Sequence, residues 1–285
     1  MEQLTGTAPR ADVWFLLEYT GRWGKQALQE SSIPDEVKAY LNAQLKLIPH
    51  SRLLLIQKDK GHRAGLSFFA ALPAVNPPAL YRFHLDGYEA LLTLDLVQLV
   101  AQHPSFESAR SEEPLLVSCT NGLRDRCCAL HGMATYQALE AAYPGLLWQS
   151  THHGGHRFAA NLLHLPYGIS YGRLRPDSAP EVVQMALEGR IAFYSYRGRT
   201  IYVEPVQAAE ALLRRGLGIE GVTALRLQHS QDLGKGHWRV QFATADELYE
   251  IAIQRQETGA RVPVSCGEEA TVPVVEYSLV EHSQS

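Results

Sequence analysis

No stretch of this sequence approaches the roughly 18 uninterrupted apolar residues that a membrane-spanning helix needs. The opening segment, residues 1–10, has neither the basic start nor the apolar middle of a secretory signal. The expectation is a cytoplasmic chain with no membrane span. Positive charge is not in excess: 26 Lys and Arg against 30 Asp and Glu leave a net charge of -4, and the cations are scattered rather than gathered in a stripe. Nucleic acid is therefore not an expected partner. Cysteine is scarce, with four residues in 285, and three of them, Cys119, Cys127 and Cys128, fall within ten positions. That grouping suits a metal or redox site better than a disulfide framework, and adjacency makes a bridge between Cys127 and Cys128 strained. Cys266 stands apart in a Pro-Val-Ser-Cys-Gly turn and is assigned no role. No G-x-G-x-x-G follows a strand pattern and no Walker sequence occurs, so an intrinsic nucleotide site is not supported. A C-x-x-C pair is also missing, which argues against thiol-disulfide exchange. Neither internal repeats nor low-complexity segments are visible.

What is present is an ordinary globular composition, 46% hydrophobic and 20% charged, sufficient to bury a core in one to three domains. Pro34, Asp35 and Glu36 mark a helix start, Val37, Tyr40, Leu41 and Leu45 recur at helical spacing, and Pro49 stops the run. Strands are expected at 53–56, 66–72 and 80–85, completing an N-terminal α/β domain over 1–110. A second unit, 111–204, opens with a buried strand at 114–119, a polar loop at 120–126 and a helix over 128–142. Extended segments at 146–149, 158–165 and 169–174 follow, the last two joined by a Pro166-Tyr167-Gly168 turn, and then a helix from 180 to 187. The order strand, helix, strand, strand, strand, helix resembles a thioredoxin-like sheet. The remainder, 205–285, reads as a small β-rich α+β accessory region with a helix at 206–215, strands at 238–242, 248–253 and 274–280, and a frayed tail from 281.

Chemistry concentrates in the second unit. Cys119 and Cys128 are separated by eight residues between a strand end and a helix start, and His152-His-Gly-Gly-His156 follows. Two soft thiolates and two imidazoles are the ligand set of either a structural zinc site or an iron-sulfur centre of mixed ligation. The eight-residue gap is wider than the tight knuckle of common zinc modules, and a wide loop can wrap a larger cofactor. Gly154 and Gly155 let the backbone approach closely and adopt conformations closed to other residues. Cys127 is equally able in sequence to replace Cys128 as a ligand, while His153 is expected to point away on the alternate side. Arg124 and Asp125 either fold the loop through an ion pair or shape the surroundings of the metal, and Arg157 either favours an anionic centre or stands exposed on a strand edge.

The stretch Cys119-Thr-Asn-Gly-Leu-Arg-Asp-Arg-Cys127-Cys128, followed by His152-x-Gly-Gly-His156-Arg-Phe-Ala-Ala-Asn161, resembles the sucrase/ferredoxin-like family of thioredoxin-like ferredoxins. The resemblance extends upstream to Trp14-Phe-Leu-Leu-Glu18-Tyr-Thr-Gly21-Arg-Trp23-Gly24, with Arg22 where a proline is expected, and downstream to Tyr171-Gly172-Arg173 and Tyr196-Arg197-Gly198. It implies a [2Fe-2S] cluster in which Cys119 and Cys128 hold one iron and His152 and His156 the other, the partition of a Rieske centre. Neutral imidazoles in place of two thiolates raise the potential into a range of roughly -150 to +300 mV on that precedent. The outer nitrogens of the histidines can release protons on oxidation, which couples electron to proton uptake. The implied function is a one-electron relay, an electron carrier or the redox module of a reductase, exchanging electrons with a partner protein or a small reductant or acceptor. A zinc-stabilised thioredoxin-like binding domain without redox function is the alternative. Glycoside hydrolysis, which the family's name suggests, needs two positioned carboxylates that the sequence does not reveal.

Overall fold

The computed structural model describes residues 2–58, 65–265 and 269–284. Two runs without helical period, Val13–Glu18 (β1) and Ser51–Gln57 (β2), lie side by side as parallel strands connected through the helix Asp35–Leu47 (α1). Five of the six β1 residues are buried, as expected of a strand covered on both faces. Helix α1 carries Asp35 and Glu36 in its first turn and Lys46 in its last, which complements its dipole. The hairpin Leu66–Leu72 (β3) and Ala79–Leu85 (β4) extends the sheet on the far side of β1. A short helix, Leu96–Val100 (α2), closes the unit, with the Asp95 side chain accepting from the Gln98 amide as its N-cap.

The same arrangement then recurs. Leu115–Cys119 (β5) and Leu147–Ser150 (β6) are parallel and connected through Met133–Ala142 (α3). The hairpin Leu162–Leu165 (β7) and Ile169–Tyr171 (β8) adds on the far side of β5, Ala179–Leu187 (α4) follows, and Tyr196–Arg199 (β9) ends the sheet. The nine strands run β4-β3-β1-β2-β6-β5-β7-β8-β9, so that β2-β1-β3-β4 of the first unit is matched by β6-β5-β7-β8 of the second. The halves meet where β2 and β6 pair antiparallel, Ile56 with Ser150 and Gln57 with Gln149. The absence of internal repeats thus holds for residue identity and not for topology. A strand order requires apolar residues at the right period, and many residue choices satisfy it.

The helices of each half pack on one face of its strands, α1 over Phe15, Leu17 and Phe68, and α3 with α4 over Leu116, Leu162 and Ile169. The opposite faces share a third core, where Trp14, Leu16 and Phe69 meet Val117, Trp148 and Leu163. The Phe69 and Trp148 rings stand edge to face at 5.6 Å although their strands are three places apart, so the sheet curls back on itself.

The C-terminal region consists of Glu204–Leu217 (α5) and a separate antiparallel sheet of Arg226–Gly234 (β10), His237–Ala243 (β11), Leu248–Pro263 (β12) and Thr271–Gln284 (β13). The expected frayed tail is instead the end of β13, with Glu281 opposite Ala252 and Ser283 opposite Glu250. A G-x-G-x-x-G string does occur at 216–221, but it closes helix α5, with Gly218 in the left-handed conformation at φ 68°. Among the described residues, no helix is long and apolar enough to cross a membrane.

Candidate metal centre

Parallel strands β5 and β6 end side by side, and their C-terminal ends deliver the expected ligands. Cys119 is the last residue of β5. Cys128 opens a π-turn, Cys128–Gly132, which leads into α3, so the expected helix over 128–142 begins with a widened turn. A Cβ at Gly132 would run into the Cys119 carbonyl, so glycine lets this turn close onto the strand end. His152 follows β6, and the loop after it passes through Gly154 (φ 107°) and Gly155 (φ 75°), left-handed conformations that only glycine adopts at ease. His156 begins a short 3₁₀ turn, His156–Phe158, and the strand expected over 158–165 starts only at Leu162.

These elements bring the four residues together in two pairs. The Sγ atoms of Cys119 and Cys128 lie 3.4 Å apart, both side chains buried. His152 Nε2 and His156 Nδ1 lie 3.3 Å apart. The pairs meet at His152 Nδ1, which is 3.8 Å from Cys119 Sγ and 3.7 Å from Cys128 Sγ. Cys119, Cys128 and His152 form one tight trio of donors; His156 stands outside it, next to His152. Two donors on one tetrahedral ion are separated by about 3.8 Å for thiolates bonded at ~2.3 Å and by about 3.4 Å for imidazoles bonded at ~2.1 Å. Both pair separations are close to these values.

The electrostatics favour a thiolate here. The hydrogen bond between the two sulfurs, together with His152, holds the Cys119 thiol well below its ordinary pKa despite burial. The same hydrogen bond and burial push Cys128 up. One proton is therefore lost readily, and the second leaves only when a cation replaces it. Beyond the pairs, His156 Nε2 contacts the Val264 carbonyl, which can only accept, so Nε2 carries the proton and Nδ1 keeps a free lone pair. Asp125, buried, accepts from the Cys127 amide at 2.8 Å and from Ser265, and its carboxylate lies 3.9 Å from His156 Nδ1.

Residues 4–198 match the family described as Sucrase/ferredoxin-like. The chain belongs to this family. No curated protein and no solved structure matches it. The family match takes in Cys119, Cys128, His152, His156 and the curled sheet that positions them, but stops before α5 and the second sheet. Val264 and Ser265 therefore reach the centre from outside the sucrase/ferredoxin-like region.

Cys127, which in sequence could equally replace Cys128 as a ligand, is disulfide-bonded, while Cys119 and Cys128 are free. Cys266 lies outside the described residues. His153 is fully buried; burial pushes its pKa down to about 4, and neither ring nitrogen has a hydrogen-bond partner among the described residues. No ion pair between Arg124 and Asp125 occurs among the described residues: Arg124 is exposed, whereas Asp125 is buried and accepts from Cys127 and Ser265. Arg157 pairs with Glu2 at 2.9 Å, so its charge is already answered. Sequence reasoning missed Arg52 and Arg197, which donate to the carbonyls of His153 and Gly154, each at 3.1 Å. For Arg197 the signal was its place in Tyr196-Arg197-Gly198; for Arg52, on a strand otherwise read as apolar, there was none.

Proposed function

We propose that the chain is an electron-transfer protein whose centre is a [2Fe-2S] cluster held by Cys119 and Cys128 on one iron and by His152 and His156 on the other. The observation that carries this reading is the pairing of donors, thiol with thiol at 3.4 Å and imidazole with imidazole at 3.3 Å, in a member of the sucrase/ferredoxin-like family. The strand order β6-β5-β7-β8, with its parallel first pair, supports the thioredoxin-like character of the second unit. When bound, the cluster supplies a one-electron site of intermediate potential.

The protein's own residues then do three things. The lowered pKa of Cys119 makes a thiolate available for metal. The Val264 carbonyl fixes the tautomer of His156, with Nε2 protonated and Nδ1 free to ligate. Burial of Cys119 and Cys128 keeps bulk water from the sulfur side, while partly exposed His152 and His156 face the outside and provide the route for an electron and a proton.

A zinc-binding domain is the second reading, favoured by the trio Cys119, Cys128 and His152, whose donors suffice for a single ion. The test is an absorption and electron-paramagnetic-resonance spectrum of anaerobically purified protein, as isolated and after dithionite, with iron, zinc and acid-labile sulfide assayed together. Red-brown absorption, iron and sulfide in equal amounts and a rhombic signal on reduction are expected. Colourless protein with stoichiometric zinc would replace the redox reading with the structural one.

A further inference from the structure

Beside the metal centre, between the loop after β1, helix α1 and strand β2, lies a cavity of about 320 Å³. His152 forms part of its wall. So do Lys25, Arg52 and Arg124, while no Asp or Glu lines it. In a chain with net charge -4, three cations converge here from three separate segments. Among the described residues none of the three forms an ion pair; Arg52 donates only to the His153 carbonyl and stacks over Trp14 at 5.1 Å. Burial alone pushes the Arg52 pKa down, with no acidic neighbour to restore it. A concave wall of one charge sign focuses its field into the cavity, and a cation withdrawn from water without an anion is costly until one arrives.

We propose that this cavity binds a small oxyanion, a molecule bearing carboxylate or phosphate groups, and that such a molecule is the redox partner presented to His152. The volume lies at the small end of ligand cavities, about 300–1,000 Å³, which suits a small molecule rather than a protein segment. Lys25 and Arg124, both exposed, attract and orient the anion; Arg52, less exposed, adds the third positive charge to the wall. The binding half stands on the charge of the cavity alone, and the electron-transfer half rests on the redox reading of the metal centre. In that half the carboxylate or phosphate groups only anchor the molecule, and the oxidant is a one-electron acceptor it carries, a chelated transition-metal ion in its higher oxidation state, which takes the electron from the reduced centre and falls by one unit.

The test uses the full chain. Citrate and inorganic phosphate are titrated calorimetrically at low ionic strength into wild type, the Lys25→Glu/Arg124→Glu variant and, as a control on the second sheet, Arg226→Glu. Saturable one-site binding is expected for wild type and the control, weakened at least about tenfold in the double variant. The anaerobically reduced protein is then mixed with ferricyanide or hexaammineruthenium(III), each a one-electron acceptor. The double variant is expected to slow oxidation by ferricyanide at least about tenfold and not to slow the cationic ruthenium complex. Absence of saturable binding, or binding unchanged in the double variant, overturns the proposal, as does an equal effect on both acceptors. Anion binding lost in the double variant of a protein without a redox centre would uphold the site and remove the electron-transfer reading. A redox-active protein indifferent to anions would do the reverse.

Discussion

Arg197 donates to the Gly154 carbonyl at 3.1 Å from a buried position, and among the described residues no carboxylate pairs with it. Its guanidinium is solvated instead by oxygens: the Asn161 side chain at 2.9 Å, the Thr7 hydroxyl at 3.1 Å, the Ser170 hydroxyl at 3.3 Å and the Thr7 carbonyl. Burial pushes its pKa down to about 9, which still leaves it charged at neutral pH. Arg197 thus fixes the backbone between His152 and His156 and stands directly against Gly155. A Cβ at Gly155 would strike that guanidinium, and φ there is 75°. Gly155→Ala is therefore expected to displace the histidine loop, costing about 1–2 kcal/mol for the left-handed backbone alone, and to lower metal content per chain. Arg197→Lys keeps the charge but loses the fork that serves several oxygens at once, and should also lose metal. Full metal content in both variants would show that the loop is positioned by other contacts.

The two pairs of donors make distinct demands. Cys119→Ser, Cys128→Ser and His152→Ala should each abolish stoichiometric metal under either a cluster or a zinc ion. His156→Ala separates the two, because a cluster loses one of its four ligands whereas the trio of Cys119, Cys128 and His152 remains intact for a single ion. Loss of iron and sulfide in His156→Ala is expected. Cys127→Ser is expected to retain metal, since that sulfur is engaged in a disulfide rather than free.

The sequence anticipated which side chains come together better than it anticipated the fold around them. The approach of Cys119, Cys128 and His152 was legible because those residue types share one ligand chemistry, and the turn that sets His156 beside His152 because Gly154 and Gly155 mark an unusual backbone. Strand β1 is masked in the sequence by its place in the Trp14-to-Gly24 motif, although its five consecutive buried residues are those of a doubly covered strand. The duplicated topology was invisible because pairing partners such as β2 and β6 lie about ninety residues apart and share only two residue pairs. The reach of Val264 and Ser265 to His156 and Asp125 had no local signal either: a backbone carbonyl is contributed by every residue, and only the path of β12 decides which one arrives.

Glu210 of α5 anchors the C-terminal region to the large sheet. Its Oε1 accepts from Arg199 and from Arg214, each at 2.9 Å, and its Oε2 from the Tyr196 hydroxyl at 2.7 Å, all without solvent exposure to speak of. Burial alone would push the Glu210 carboxyl up, but the two guanidinium charges and the hydrogen bonds more than offset it and the net shift is downward. Glu210→Gln strands two buried cations and is expected to destabilise the chain by about 3–5 kcal/mol, against far less for an exposed control such as Glu113→Gln. Urea denaturation reads the difference. A loss under 1 kcal/mol, on the order of an exposed ion pair, would mean that the network contributes alignment rather than stability.

Acid sensitivity should come in part from His164 on β7. The residue is buried, its Nδ1 has no hydrogen-bond partner among the described residues, and its ring packs edge-on against Tyr167 at 5.1 Å. Burial, with a smaller contribution from Arg199, pushes its pKa down to about 4. The unfolded chain takes up this proton near the ordinary histidine value of about 6.5. Above that pH both states are neutral at this position and it has no effect on stability. Between about 6.5 and 4 the unfolded chain is protonated and the folded chain is not, so stability falls as pH falls, by up to about 3 kcal/mol in total. Below about 4 both states are protonated and the dependence on this residue ends. His164→Phe keeps an aromatic ring against Tyr167 and removes the proton. Its unfolding free energy should therefore decline less steeply than wild type between pH 7 and pH 4.5, with the gap between the two curves widening steadily as acid is added. Parallel curves would show that His164 titrates alike in both states, and that the burial seen here does not exclude the proton.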